Sequence, residues 1–222
     1  MARKPQAEPT PSTRDPARTR RNLLKAAYTE FAACGFHGTT VERICKRAGV
    51  SKQTLSHHFG SKEGAHLAVL EHAYGAARTS DPHLTDPSLP PMQAMRAFVG
   101  ATFDHLARNR PFVGLQADEN VNQGRHIRNS VMLPTIYDPL IQSLAALLER
   151  GVVGGAFRPG IDARQLYMSI SALCYFYFSN IYTLSAVFAS DLQHHSAVAA
   201  RRAHVLDFVT AALLPTTVSI SS

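Results

Sequence analysis

The sequence predicts an all-α fold of about nine helices, arranged as a small N-terminal helix-turn-helix domain and a larger helical domain. Apolar residues recur at helical spacing through nearly the whole chain after a Pro-rich N-terminal tail. Capping residues and Gly or Pro stops separate these segments, and no run of alternating apolar and polar residues predicts a strand. With 222 residues and 45% hydrophobic composition, the chain is long enough for one small domain and one substantial core.

The first predicted helix carries an apolar stripe that should cover the back of the two helices after it. The stripe consists of Leu23, Leu24, Ala27, Tyr28 and Phe31. Because a glycine favours a helix end, this helix should stop near Cys34 and Gly35. With the next two helices it completes a three-helix unit.

Residues 39–62 have the order of two short helices joined by a tight turn. Thr39, with Glu42 three residues on, has the form of a capping box that begins a helix. Gly49 favours the end of that helix, and Ser51 is placed to cap the next one. Because the turn is so short, the two helices can pack only across each other, which is the helix-turn-helix arrangement. The second helix of this motif lies in the major groove of DNA, so the segment predicts DNA binding.

Positive charge is concentrated in the same part of the chain. Through Lys62 there are twelve Lys and Arg residues against four Asp and Glu, whereas the remainder has eleven against twelve. The net charge of +7 therefore comes from the first third. A basic module beside a near-neutral one is typical of a domain that neutralises phosphates joined to a domain with another role.

The string VSKQTLSHHFGSKEGAHLAVL, with the preceding GFHGTTVERI, resembles the signature of TetR-type bacterial transcriptional regulators. The resemblance covers about residues 18–75 and implies a DNA-binding domain followed by a ligand-binding one. Two positions depart from the family pattern. Ser56 stands where the family usually has a Tyr that touches the DNA backbone, and Gln53 replaces a commonly small residue.

The predicted DNA contacts lie at three helix starts and along the recognition helix. Unpaired N–H groups at a helix start favour a phosphate oxygen, and the first turn of the recognition helix can donate to base edges in the major groove. The predicted DNA-binding residues are Thr39, Thr40, Lys52, Gln53, Thr54, Ser56, His57, His58 and Lys62. An ordinary exposed polar residue, or a helix cap for Thr54, is the alternative for each.

Four further helices are predicted by periodicity and stop signals. The fourth begins at Ser61 and ends before Ser80 to Pro91, a segment with four prolines. A fifth has one apolar face, and Pro111 suits the first turn of a sixth. The seventh is predicted over Ile136 to Leu148, and the glycines of GVVGGAFRPG end it.

The last two predicted helices pose the question of a membrane anchor. Asp162 with Gln165 resembles a capping box for an eighth helix, and an apolar stripe from Val198 to Leu213 predicts a ninth. Residues 165–190 contain no charge and exceed the roughly 20 residues that cross a bilayer. Polar side chains interrupt this segment and tyrosines fall in its middle, so we favour a buried helix. In a TetR-like protein the last two long helices pair with those of a second subunit, which implies a homodimer.

We expect three regions in the chain. A disordered, basic and Pro-rich tail covers residues 1–17, the helix-turn-helix DNA-binding domain covers residues 18–63, and an effector-binding and dimerisation domain covers residues 64–222. The tail lacks the apolar core of a signal peptide, and its cations either reach a neighbouring DNA groove or belong to a mere linker. Three widely separated cysteines predict reduced thiols in a cytoplasmic protein.

The second half carries aromatic residues whose default role is packing. Within it, QADENVNQGRHIR places amides, acids and arginines close together, and some could face an apolar pocket. This string and LYMSISALCYFYFSNIYTLSAVF resemble the C-terminal domains of regulators of pyrimidine use and nicotinate breakdown, which implies a small, aromatic or acidic effector. The candidate effector-binding residues are Phe103, Phe112, Asn120, Arg125, His126, Arg128, Tyr137 and Tyr175.

An enzyme is not favoured, because the chain has no nucleophile elbow, Walker-type loop, dinucleotide fingerprint or His-Cys metal spacing. We therefore expect no catalytic residue, no metal and no cofactor. Our interpretation is a ligand-responsive repressor that releases a palindromic operator when an effector binds; an activator of the same fold is the alternative. The effector should act by moving the fourth helix, where Gly64 could soften the joint.

Two substitutions should have different effects on DNA binding, one in the recognition helix and one at the start of the fourth helix. Gln53→Ala should change the preferred base sequence, since Gln can bind adenine through a paired donor and acceptor. Lys62→Ala should weaken binding to all sequences alike, because a phosphate contact carries no sequence information. Selection of bound duplexes from a randomised library measures both effects. An unchanged base preference in Gln53→Ala would remove Gln53 from the residues that bind bases.

Overall fold

The computed structural model describes residues 15–78 and 84–215, and within these ranges it contains ten α-helices and no β-strand. The helices are α1 (Pro16–Gly38), α2 (Val41–Ala48), α3 (Lys52–Phe59), α4 (Lys62–Arg78), α5 (Pro91–Arg108), α6 (Arg110–Val121), α7 (Met132–Val153), α8 (Ala163–Ser179), α9 (Ile181–Val187) and α10 (His195–Leu213). The all-α prediction is confirmed. A tenth helix arises because the segment predicted as the eighth is divided in two.

Helix α1 begins before the predicted end of the tail. Asp15 caps it by accepting a hydrogen bond from the N–H of Ala17 at 2.9 Å, and Pro16 occupies the first helical position. The groove contacts considered for the tail cations, at residues 3, 4 and 14, lie outside the described residues.

The connection from α1 to α2 differs by one residue from the predicted capping box. Gly35 has a φ of +66°, which interrupts α1 at the predicted stop. The N-cap of α2 is Thr40, whose hydroxyl accepts a hydrogen bond from the N–H of Arg43 at 3.3 Å. Thr39 is buried, and its hydroxyl donates to the carbonyls of Glu30 and Gly35. The side chain of Thr39 therefore stabilises the turn and is not available to DNA, which corrects the prediction.

A buried carboxylate fastens α2 to α1. Glu30 Oε1 lies 2.6 Å from Nε of Arg47, and its Oε2 lies 2.8 Å from Nε of Arg43, while only 5% of the Glu30 side chain is exposed. The hydrogen bond from Arg47 lowers the pKa of Glu30 against the opposing effect of burial. Because the two arginines are one helical turn apart, a single carboxylate holds the face of α2 that packs on α1.

The junction between α3 and α4 leaves no room for a side chain. Ser51 caps α3, as predicted, by accepting a hydrogen bond from the N–H of Thr54 at 3.2 Å. Ser61 accepts one from the N–H of Gly64 at 3.2 Å, at the start of α4. A Cβ atom added at Gly64 would overlap the carbonyl oxygen of Phe59. Gly64 therefore permits a close approach of the two helices, and the expectation that it softens the joint stays a prediction.

Helix α5 forms the centre of the second half and packs against α7, α8 and α10. The face that periodicity predicts to be apolar is buried and comprises Met95, Phe98, Val99, Thr102, Phe103 and Leu106. Arg202 of α10 donates two hydrogen bonds to the carboxylate of Asp104 on α5, at 2.8 and 2.9 Å. This bidentate hydrogen bond fixes the position of α10 along α5.

The uncharged segment predicted as one helix is divided into α8 and α9, which are bent by 68°. Asn180 lies between them, and its Nδ2 donates to the carbonyl of Phe176 at 3.0 Å, which satisfies the last turn of α8. Asp162 caps α8, as predicted, by accepting a hydrogen bond from the N–H of Gln165 at 2.7 Å. In the described ranges no single helix is long and apolar enough to span a membrane, although α8 and α9 together reach that length and composition.

Replacing Glu30 with Gln should destabilise the three-helix unit by about 1.5–3 kcal/mol, the usual contribution of a hydrogen bond to a charged group. The folded pKa of Glu30 lies below its unfolded value, so this stabilisation is present above its ordinary pKa of 4.5 and is lost as the pH falls through the folded pKa. Denaturant titrations at neutral and acid pH measure the free energy of unfolding. The difference between wild type and Glu30→Gln should shrink in acid.

Glu42→Gln is the matched control, because Glu42 is exposed and its ion pair lies on the surface. A loss of stability in Glu30→Gln no larger than that in Glu42→Gln would contradict the structural role of the buried carboxylate.

Candidate nucleic-acid interface and ligand cavity

Helix α3 packs through one side and exposes the other. Leu55 is its fully buried residue. The predicted DNA contacts on this helix are exposed at Lys52, Gln53, Ser56 and His57, and half-buried at Thr54 and His58. The first turn of α3 therefore presents polar donors and acceptors to solvent, as direct reading of base edges requires.

Lys52 is already paired with a carboxylate of the preceding helix. Its Nζ lies against Oε1 of Glu42 on α2, and both side chains are more than half exposed. The hydrogen bond from Lys52 is the main cause that lowers the pKa of Glu42 to about 2. Because an exposed ion pair contributes little free energy, a base or phosphate acceptor can replace the carboxylate at small cost.

Two more residues of α3 have partners close by. The Ser56 hydroxyl donates to the carbonyl of Gly60 at 3.2 Å, and Oγ1 of Thr54 lies 2.9 Å from Oγ of Ser51. Ser56 thus contributes to the end of α3, and Thr54 to its cap. Their predicted contacts with DNA require these hydroxyls to use their remaining hydrogen-bonding capacity.

The predicted phosphate contacts outside α3 lie at two helix starts. Thr40 is the exposed N-cap of α2, and Lys62 is the first residue of α4. The ammonium of Lys62 lies 4.3 Å from the ring centre of Phe36, a cation–π contact. With Thr39 buried, these two starts are where backbone N–H groups and nearby side chains favour an anion.

The sequence analysis gave no role to three arginines that hold the helices of this surface together. Arg43 and Arg47 bind the buried Glu30, and the guanidinium of Arg20 lies 5.1 Å from the ring centre of Phe59. The spacing of the two arginines, one turn apart on α2, is the sequence signal for a shared carboxylate. The contact of Arg20 holds α1 against α3 and has no comparable signal.

A small cavity of about 60 Å³ lies between α5, α6, α7 and α8. It is lined by Thr102, His105, Leu106, Phe112, Gln116, Tyr137, Tyr167, Ser171 and Tyr175. Gln116 Nε2 donates to the hydroxyl of Tyr74 on α4 at 3.4 Å, and Gln116 Oε1 is buried without a hydrogen-bond partner in the described part of the chain. The ring centre of Tyr74 lies 5.2 Å from that of Phe112. Tyr74 therefore connects α4 to the wall of this central cavity.

Two larger cavities border α4. One of about 850 Å³ lies between α4 and α7, and one of about 410 Å³ lies between α1, α4 and the junction of α5 with α6. His72 and Ala76 line both of them, and His105 and Phe112 line both the second and the central cavity. The second cavity thus shares lining side chains with each of the other two.

The structure brings three of the eight predicted effector-binding residues to the central cavity. Phe112, Tyr137 and Tyr175 line it. Phe103 does not, because its ring packs in the core with its centre 4.9 Å from that of Phe178.

Three polar members of the predicted effector set point elsewhere, which corrects the prediction. Asn120, Arg125 and Arg128 are exposed. Asn120 Nδ2 donates to the carbonyl of Gln116 at 2.8 Å, and Arg128 Nη2 donates to the carbonyl of Gln123 at 2.8 Å. None of the three side chains lines the central cavity, and local carbonyls bind those of Asn120 and Arg128 at the surface.

His126, also predicted to bind the effector, is buried outside the central cavity. Its Nδ1 lies 2.8 Å from Oε2 of Glu119, and the ring centre of His66 on α4 lies 4.6 Å from that of His126. We call these three residues the His66–Glu119–His126 cluster. The sequence gives no signal for the cluster, because α4, the end of α6 and the turn before α7 supply one residue each.

Two family models match the chain. The model described as "Bacterial regulatory proteins, tetR family" matches residues 23–69, and the model described as "Tetracyclin repressor-like, C-terminal domain" matches residues 91–209. The second match alone spans more than half of the chain, and the first contains the helix-turn-helix pair α2 and α3.

Similar proteins and structures agree with these matches. The HTH-type transcriptional repressor NicS of Pseudomonas putida is 37% identical over 182 residues, which cover 82% of this chain and 86% of NicS. The HTH-type transcriptional regulator RutR of Escherichia coli K12 is 30% identical over 161 residues, which cover 68% of this chain and 69% of RutR.

Two solved structures support the fold. A bacterial regulatory protein in the tetR family from Rhodococcus RHA1 has a TM-score of 0.69 at 17% identity, covering 89% of this chain and 98% of its own. The ketosteroid transcriptional regulator KstR2 of Mycobacterium tuberculosis has a TM-score of 0.63 at 22% identity, covering 89% and 95%. From the family matches and the relatives together, this chain belongs to the TetR family of bacterial transcriptional regulators, which bind DNA and are not enzymes.

Proposed function

We propose that two copies of this chain bind a palindromic operator as a cytoplasmic repressor and release it when a small organic effector occupies the central cavity. The observation that carries the DNA part is the exposed first turn of α3, between the capped starts of α2 and α4. Repression is supported by NicS, a relative whose name describes a transcriptional repressor. The division into residues 18–63 for DNA and 64–222 for effector and dimer is part of the proposal.

Within the DNA-binding domain we assign base contacts to the first turn of α3. Lys52 donates to guanine, Gln53 binds adenine through its amide, and the methyl group of Thr54 meets thymine. The proposed phosphate contacts come from Thr40, Ser56, His57, His58 and Lys62. Half-site centres should lie about one helical turn, roughly 34–36 Å, or a multiple of it apart.

The lining of the central cavity indicates the class of effector. It holds aromatic rings, hydroxyls and one amide, with no Lys, Arg, Asp or Glu among the lining residues. The unpaired Oε1 of Gln116 offers an acceptor to a ligand donor, since a buried polar atom without a partner is costly. These features favour a small planar aromatic compound that carries an N–H or O–H group. The present volume of about 60 Å³ requires the wall to move when such a compound binds.

Coupling to DNA follows from the contact between Tyr74 and Gln116. A ligand donor that binds Oε1 of Gln116 would reorient the amide, whose Nε2 now donates to the hydroxyl of Tyr74 on α4. Displacement of Tyr74 moves α4, and α4 adjoins the end of α3 without a spacer side chain at Gly64. The ligand need only bind one position of α4 better than the other, because this difference in affinity sets the shift.

Exposed apolar side chains on the last three helices support a homodimer. They comprise Met168 and Phe176 on α8, Tyr182 and Val187 on α9 with Phe188 after it, and Phe208 on α10. Phe176 and Phe208 are each 55% exposed in the single chain. A second copy would remove this surface from water, which stabilises association by about 25 cal/mol per Å² of apolar area.

The dimer proposal is tested at a residue that the single chain does not bury. Phe176→Glu should leave the fold intact and shift sedimentation from twice the chain mass to the single mass, because an unpaired charge in an apolar interface is costly. Operator affinity should fall with it. Val121→Glu on α6 is the matched control, since Val121 is 83% exposed and far in the sequence from α8 to α10. Dissociation by both variants, or by neither, would contradict the proposed interface.

The effector proposal is tested by screening small aromatic compounds for release of a labelled operator. A saturating compound should weaken operator binding by roughly 5- to 150-fold, and operator should weaken binding of the compound by the same factor. Gln116→Leu should lower the affinity for the compound, measured by direct titration of the protein without operator.

Arg128→Ala serves as the control for this screen, because Arg128 is exposed and does not line the cavity. If Arg128→Ala loses the compound and Gln116→Leu retains it, the central cavity is not the effector site. Binding without any change of operator affinity would leave a binding domain that does not regulate.

A further inference from the structure

The His66–Glu119–His126 cluster is a second functional candidate, separate from the central cavity. The three side chains are 0%, 3% and 6% exposed, and each offers one ligand atom within 4.8 Å of the other two. Two imidazoles and a carboxylate are a set of N and O donors that suits zinc and related divalent transition metals.

Glu119 is held in a fixed orientation by hydrogen bonds from the backbone. Its Oε1 accepts hydrogen bonds from the N–H groups of His126 and Ile127, at 2.8 and 2.9 Å. The second oxygen, Oε2, faces Nδ1 of His126 at 2.8 Å. A carboxylate fixed in this way by backbone donors resembles the oriented ligands of metal sites.

His66 is the residue that packing alone does not explain. Its imidazole is fully buried, and neither ring nitrogen has a hydrogen-bond partner within the described residues. Most buried polar side-chain atoms have a partner, so two unpaired nitrogens on one ring need a reason. The ring lies edge-on to Phe31 and His126, with centres 4.6 Å away in both cases.

We propose that His66, Glu119 and His126 bind one Zn²⁺ ion per chain. Ligand atoms of a tetrahedral zinc site lie about 3.3 Å apart, given metal–ligand distances of about 2.0–2.1 Å. Side-chain movements of an ångström or so would therefore complete the site, with a water as the fourth ligand. The sequence analysis expected no metal. This proposal revises that expectation, because the three ligands are far apart in the sequence and come together only in the fold.

The position of the site between helices indicates that the ion would have a structural role. His66 lies on α4, one turn after Lys62, whereas Glu119 belongs to α6. Helix α6 also holds the end of α1, since Asp118 Oδ2 accepts a hydrogen bond from the N–H of Phe36 at 2.9 Å. An ion bound here would connect α4, which adjoins the DNA-binding helix α3, directly to α6. This site does not depend on what the central cavity binds.

The test is a calorimetric titration of the chelator-stripped, full-length chain with Zn²⁺. One ion should bind per chain. His66→Phe, which keeps a ring against Phe31, should weaken binding by at least about 10-fold, a loss that even removal of an outer-shell partner of a metal ligand causes. His72→Phe is the matched control, because His72 is an exposed histidine of the same helix and should leave Zn²⁺ affinity unchanged. Equal affinities of wild type and His66→Phe, or an equal loss in His72→Phe, would overturn the proposal.

X-ray absorption at the zinc edge of the wild-type complex makes the test independent of whether the variants fold. The spectrum should report two imidazole nitrogens and one carboxylate oxygen at about 2.0–2.2 Å. A shell of solvent oxygens with one imidazole or none, or a shell that includes sulfur, would assign the ion to another place and overturn the proposal.

Discussion

The carbonyl oxygen of Phe59 lies so close to the backbone of Gly64 that no side chain fits between α3 and α4. Ser61 caps α4 within the same turn, so the two helices meet without a flexible connection. Helix α3 has eight residues and a single fully buried side chain, Leu55, and therefore depends on its neighbours for orientation. We expect a displacement of α4 to reach α3, because only two residues separate the two helices.

The other functional features lie along α4 or against it. Near its start, the ammonium of Lys62 packs on Phe36 and the imidazole of His66 faces α6. Near its end, Tyr74 contacts Gln116 at the central cavity. Helix α4, like α1, therefore touches both the DNA-binding helices and the proposed effector wall, and we expect its two ends to respond to different ligands.

The sequence predicts structure well where the cause is local. Ser51 caps its helix as predicted because an N-cap bonds a backbone N–H only two or three residues on. Thr39 fails as a DNA contact because tertiary packing buries it, and Arg128 fails as a pocket residue because nearby carbonyls bind it at the surface. The His66–Glu119–His126 cluster is invisible in the sequence, since packing of α4 on the segment after α6 brings its members together. The sequence predicted that aromatic residues such as Tyr137 would be internal. It could not distinguish those that line a cavity from those that fill the core, because both use the same types of side chain.

The buried carboxylate of Glu30 also affects how the basic first third behaves in salt. DNA binding gains free energy when cations on the protein replace the condensed counterions of the phosphates. Arg43 and Arg47 share one carboxylate that is shielded from solvent, so one of their two positive charges is already neutralised within the protein, although both side chains are about half exposed. We therefore expect the salt dependence of DNA binding to reflect fewer cations than the count of Lys and Arg suggests, because one of these charges serves to hold α2 in place.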